Sequence, residues 1–103
     1  DDPQLAAVVR RALTNYLSGQ AENLRADLAP DADLPAPSRP LRVTGDPRVE
    51  HAGRGRVSAE VVAEDRRGAV YTLRYELAVV RRDRWYVADL LSSPERPREA
   101  SDR

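Results

Sequence analysis

The sequence predicts an α+β fold, with N-terminal helices packed on a curved antiparallel sheet of about four strands. Three observations carry that prediction. Apolar residues near the N-terminus recur at helical spacing. From Leu41 onward the apolar period changes to two. When the strand-like runs are paired through their turns, apolar residues meet apolar ones and opposite charges meet. Helices followed by a run of strands also exclude an alternating α/β order.

The first helix is expected from Pro3 to Leu17. Leu5, Val8, Val9, Ala12, Leu13, Tyr16 and Leu17 form one stripe along it. Asp2 suits the N-cap, and Pro3 suits the first helical position, where a missing N–H costs nothing. Gly19 suits the left-handed residue that ends a helix. A second, shorter helix carries Ala21, Leu24 and Leu28 on its inner face, and Pro30 ends it. Glu22 and Arg25 are spaced to pair on its exposed side. Residues 29–40 contain Pro30, Pro35, Pro37 and Pro40, which remove donors and fix φ. They read as an extended loop anchored by Leu34.

The strands follow. Leu41 to Thr44 is the first, interrupted by Gly45-Asp46-Pro47, with a weaker continuation from Val49 to His51. Gly53-Arg54-Gly55 is a turn. Val57, Ala59, Val61 and Ala63 then alternate with Ser58, Glu60, Val62 and Glu64. Arg66-Arg67-Gly68 reads as a three-residue hairpin loop with Gly68 left-handed. That loop sets Ala63 opposite Tyr71, Val61 opposite Leu73 and Glu60 opposite Arg74. Tyr71, Leu73, Tyr75, Leu77 and Val79 make the next inward row. A second three-residue loop at Arg81-Arg82-Asp83 sets Val79 opposite Trp85, Leu77 opposite Val87 and Tyr75 opposite Asp89. The last strand runs from Arg84 to Leu91. The stripe of the first helix needs a large apolar surface, and the inward row of the bent sheet supplies it.

Composition bounds the function. The chain has 103 residues, which gives one domain, expected over residues 1–91, with residues 92–103 as a disordered tail. The 17 cationic residues are all Arg and are balanced by 17 Asp and Glu, so the net charge is zero. That balance argues against bulk attraction to nucleic acid or anionic lipid. The absence of Cys excludes disulfides and thiolate metal sites. A single His and scattered carboxylates offer no metal-binding spacing, so neither metal nor cofactor is expected. No apolar run reaches the ~18 residues of a membrane span.

The landmarks Tyr16-Leu17-Ser18-Gly19, Glu22-Asn23-Leu24 and Arg84-Trp85-Tyr86-Val87 resemble those of the nuclear-transport-factor-2-like cone fold. Within it, Asn15-Tyr16-Leu17-Ser18-Gly19, Leu28-Ala29-Pro30-Asp31-Ala32 and Asp83-Arg84-Trp85-Tyr86-Val87-Ala88-Asp89-Leu90 are similar to the TcpC family. Those are conjugative-transposon transfer proteins, and their soluble domains resemble the VirB-type inner-membrane scaffold component of type IV secretion. The resemblance spans roughly residues 4–91. One departure is Asp83, where the family often has Gly in the last hairpin. The resemblance implies a non-catalytic assembly domain on the extracytoplasmic face of the membrane, held by an anchor outside this chain. Its partners would be other apparatus subunits or further copies of itself.

Two sets of residues are candidate sites. The first belongs to the alternative reading, a small-molecule binder or cyclase/isomerase-type enzyme on the same fold: cone folds often carry a pocket at the open end of the sheet, where a carboxylate or His does acid–base work. Asp89 shares its strand parity with Trp85 and Val87, Tyr75 lies opposite, and His51 is the only imidazole. The alternative is that Asp89 is satisfied by Tyr75 or an Arg while His51 sits in an exposed turn. The second is a partner surface on the outward sheet face, marked by Val62, Arg74, Val80, Tyr86 and Leu90. The alternative there is an ordinary solvated face with Glu60–Arg74 pairing. Gly53-Arg54-Gly55-Arg56 lacks the pattern and following helix of a phosphate loop. The Arg clusters at 66–67 and 81–84 fall in hairpin turns, and Trp85 faces inward, so no nucleic-acid site is expected.

Overall fold

The computed structural model describes residues 2–32, 34 and 40–94. Two helices, α1 (Pro3–Ser18) and α2 (Ala21–Arg25), precede five strands: β1 (Arg42–Val43), β2 (Arg48–Gly53), β3 (Arg56–Glu64), β4 (Val70–Arg81) and β5 (Trp85–Ser92). The strands form one curved antiparallel sheet in the order β1-β3-β4-β5, with β2 also paired to β3. β1 and β2 share the same edge of β3, separated by the Gly45-Asp46-Pro47 break.

The Asp2 side chain caps α1 by accepting from the Gln4 and Leu5 N–H groups at 3.0 and 3.3 Å. Gly19 closes the helix at φ +77°, and the Gln20 N–H reaches the Asn15 carbonyl at 2.9 Å. All seven residues of the expected stripe are buried. They pack against Val57, Ala59, Val61, Tyr75, Leu77, Val79 and Val87 on the concave side of the sheet. The Tyr16 and Tyr75 rings meet edge to face at 6.3 Å. The alternation of β3, with Val57, Ala59, Val61 and Ala63 buried, puts every second residue into this core.

The β3–β4 hairpin has the expected register: Ala63–Tyr71, Val61–Leu73 and Glu60–Arg74. Gly68 sits at φ +86°, and the Asp65 N–H meets the Ala69 carbonyl at 3.0 Å. Leu34 packs against the core as expected, whereas Pro35 and Pro37 lie outside the described residues.

Four expectations are corrected. First, α2 stops at Arg25, well before Pro30, and Ala21 is exposed. The backbone after it turns to cover the free edge of β5. The Val87 N–H donates to the Asp27 carbonyl at 2.8 Å and the Ala29 N–H to the Val87 carbonyl at 2.9 Å. Leu28 therefore bridges Val87 in parallel rather than extending a helix, and no Glu22–Arg25 ion pair forms. Second, Tyr71 is exposed at the far end of the sheet, its hydroxyl donating to Asp65 at 3.0 Å.

Third, the β4–β5 loop is Arg82–Arg84, not Arg81–Asp83, so Arg81 faces Trp85 and Val79 faces Val87. Sliding by two residues preserves the faces. It also lets Arg84 turn back toward the end of α2. An extra residue on β5, Ala88, then flips the strand's parity, so Ala78 pairs with Asp89 and Leu77 with Leu90. Fourth, β5 reaches Ser92 and Ser93 is buried, which carries the folded chain past residue 91. The rest of the expected tail, residues 95–103, lies outside the described residues.

Candidate functional site

The densest polar cluster is built around Asp27, which is 1% exposed. Three elements converge there: α1 supplies Arg11, the turn after α2 supplies Asp27, and the β4–β5 hairpin supplies Arg84. Arg11 grips the carboxylate with two donors, Nε at 2.8 Å and NH2 at 2.7 Å. Arg84 adds a third bond at 2.7 Å and also donates to the Ala26 carbonyl at 2.8 Å. Burial pushes the Asp27 carboxyl up, but the bonds from Arg11 and Arg84, with their charges, outweigh it and hold the group below the usual carboxylate range. The cluster is a lock between layers, because both carboxylate oxygens are occupied by the chain's own cations.

A second tie joins the start of α1 to the same hairpin. The Trp85 indole N–H donates to Asp2 at 2.9 Å, and Arg81 lies 3.8 Å from that carboxylate and 5.6 Å from the Trp85 ring centre. The indole bond, then the Leu5 N–H, draw the Asp2 carboxyl downward against a smaller opposing effect of burial. Trp85 is half-buried against the core, on the expected face.

The proposed enzymatic set is not brought together. Asp89 is exposed on the convex side, and its Oδ1 accepts from the Leu90 N–H at 2.8 Å. Tyr75 is buried opposite Ala59 rather than Asp89. His51 is exposed on β2, opposite Val57, at the far edge of the sheet. The Ala88 bulge is the cause for Asp89, since one inserted residue exchanges the faces of Asp89 and Leu90 before a second extra residue, Leu91, restores the count at Ser92. The same bulge removes Leu90 from the expected partner surface and packs it against the core.

The remaining partner-surface residues occupy different parts of the convex face. Val62 lies opposite Thr72, whereas Val80 and Tyr86, half-buried, face each other at the other end. Thr72 and Val80 are separated by roughly 26 Å of strand at ~3.3 Å per residue. Between them run two ion pairs, Glu60–Arg74 at 3.5 Å and Arg56–Glu76 at 3.9 Å, and a third, Arg42–Glu64, lies at the hairpin end directly opposite Val70. Arg74 is therefore part of the solvated ladder anticipated as the alternative. At the β3–β4 hairpin end two valines are exposed beside the Arg42–Glu64 pair. Val62 is 40% exposed and Val70 63% exposed, diagonal neighbours on the same face. Thr44 flanks them, its N–H bonded to the Val62 carbonyl at 2.9 Å.

Sequence reasoning missed Asp27 and treated Arg84 as a solvated turn residue. It also missed Val70, which precedes the inward row. Among the described residues no cluster of His, Asp and Glu is arranged to hold a metal ion, and no helix is long and apolar enough to cross a membrane. No family model, curated protein or solved structure matches the chain.

Proposed function

We propose that this chain is a non-catalytic assembly domain of the nuclear-transport-factor-2-like cone type. In this reading it acts by surface docking in a conjugation or type IV secretion-like apparatus at the extracytoplasmic face of the membrane. The observation that supports it best is the pair of exposed valines at the hairpin end of the convex face. Val62 and Val70 stand out of the core on a sheet face that no helix among the described residues covers, beside the Arg42–Glu64 and Glu60–Arg74 pairs. The concave face supports the same reading, because the α1 stripe occupies it. The titratable cluster at Asp27 is consumed by internal bonds. The resemblance to the TcpC family supplies the setting: partners are other subunits of the apparatus or further copies of the chain.

The test is a Val62→Arg/Val70→Arg variant of the full-length protein in its native host. Both side chains already meet solvent, so far-UV circular dichroism and thermal melting should be unchanged. Transfer frequency and co-purification of apparatus subunits should fall together. A folded double variant that supports transfer and retains its partners would overturn the reading.

A further inference from the structure

We propose that the free edge of β2 pairs antiparallel with the same edge of a second copy of this chain, about a twofold axis at Val49. This goes beyond the docking end at Val62 and Val70 and uses other residues.

The edge is open. β2 bonds only to β3, and nothing among the described residues pairs with its other side. The Val62 carbonyl points toward β1, where it accepts from Thr44. By strand alternation the even residues of β3 face that side, so Glu60 and Ser58 engage Arg48 and Glu50. The N–H and C=O groups of Val49 and His51 then point away from the sheet. That is the template a further strand needs.

The ends of the segment limit the register. Pro47 has no N–H, and its carbonyl already accepts from Arg10 Nε at 2.9 Å. On the other side Ala52 is an extra residue that breaks the ladder between His51 and Gly53. The regular ladder is thus 48–51, and of its two outward-pointing residues, Val49 and His51, Val49 lies nearer the middle.

Charge selects the same register. Antiparallel pairing centred on Val49 sets Arg48 opposite Glu50 of the second copy, twice, with the two Val49 residues exchanging backbone bonds at the centre. Centring on Glu50 would oppose two glutamates. Centring on His51 would oppose Arg48 and Arg54. Arg48 and Glu50 are exposed and make no ion pair among the described residues, so both are available. Like charges directly opposite are unfavourable and opposite charges favourable, so the edge accepts its own copy in one register and resists the neighbouring ones. The contact is short, so the dimer is weak and its population depends on concentration. Tethering of several copies at one assembly would raise its occupancy.

The experiment is sedimentation equilibrium of the chain up to ~1 mM at low and high salt, a range suited to a weak contact. The wild type should self-associate as a dimer, less so at high salt. Glu50→Arg, which opposes two arginines at each pair, should weaken the dimer about tenfold or more. Glu50 faces only Ser58 within the sheet, so folding should be unaffected. The reversed pair R48E/E50R should restore association. A wild type that stays monomeric throughout, a Glu50→Arg variant that dimerises as well as wild type, or a folded reversed pair that fails to rescue would each overturn the proposal. Because Val62 and Val70 are untouched, none of these results bears on the docking end.

Discussion

Asp27 offers the sharpest test of how the layers are held together. Replacing both arginines, as in R11A/R84A, removes every side-chain donor assigned to its carboxylate. Its side chain is 2% exposed, whereas those of Arg11 and Arg84 are 53% and 36% exposed. That asymmetry sets the magnitudes. Losing one arginine leaves the carboxylate paired with the other, and the lost cation was already half in water. Each single variant should therefore cost about 1 kcal/mol, the range of a partly screened charged hydrogen bond. Losing both strands a buried charge, which costs about 3–5 kcal/mol. The double variant should exceed the sum of the singles, a coupling that two independent surface pairs would not show.

The pH dependence supplies a sign as well as a size. In the wild type the folded Asp27 carboxyl titrates below its ordinary value. Its contribution is therefore present above the unfolded value of about 4 and is lost as pH falls through the lower folded value. Without the arginines, burial dominates and the folded carboxyl titrates above its unfolded value. The double variant then gains stability relative to wild type as pH falls from 7 to 4. Urea unfolding followed by Trp85 emission, at half-unit steps over that range, measures the difference directly. A gap between wild type and R11A/R84A that stays constant with pH would refute the argument, as would strictly additive single variants.

Other outcomes follow from the same structure. Leu13→Ala empties a fully buried position between α1 and the sheet and should cost about 2–5 kcal/mol by chemical denaturation. Gly68→Ala should cost about 1 kcal/mol from its φ of +86° alone, since an added Cβ would meet nothing closer than Glu64 Oε2 at an ordinary 3.7 Å. Asp2→Ala should fray the start of α1 and shift Trp85 emission, because it removes the cap and the indole's acceptor together. Asp89→Ala should change stability by no more than about 0.5 kcal/mol, as expected of an exposed side chain bonded only to the adjacent N–H.

The architecture was legible wherever burial imposed a period. The α1 stripe and the β3 row are read by counting, because a residue out of phase would leave an apolar side chain in water. The β3–β4 register was legible for a second reason: Gly68 fixes the loop, and cross-strand charges such as Glu60 and Arg74 check it. The β4–β5 register had neither support. Arg81, Arg82, Asp83 and Arg84 are all compatible with a turn, and no glycine marks the position. A slide of two residues leaves every face unchanged, so alternation cannot detect it. The end of α2 was misplaced because Pro30 is a strong stop, whereas the actual cause is a backbone pairing with Val87 far along the chain.

The bulge at Ala88 explains why the site was less legible than the fold. Strand parity is a running count, and one inserted residue reverses it until a second, here Leu91, restores it. Asp89 and Leu90 therefore lie on the faces opposite to those expected: the carboxylate of the alternative, enzymatic reading is outward and the expected surface leucine is inward. Ala88 is small and suits either face, so nothing in its chemistry announces the insertion. Asp27 is hidden differently. It lies outside any periodic run, and its partners Arg11 and Arg84 stand 16 and 57 residues away. A lone aspartate between two short elements looks like any solvated turn residue until the chain is folded. The one clue was on α1, where Arg11 borders the apolar stripe and presents a long cationic arm toward the next layer. A charge in that position requires either solvent or a counter-charge, and the fold supplies the second through Asp27.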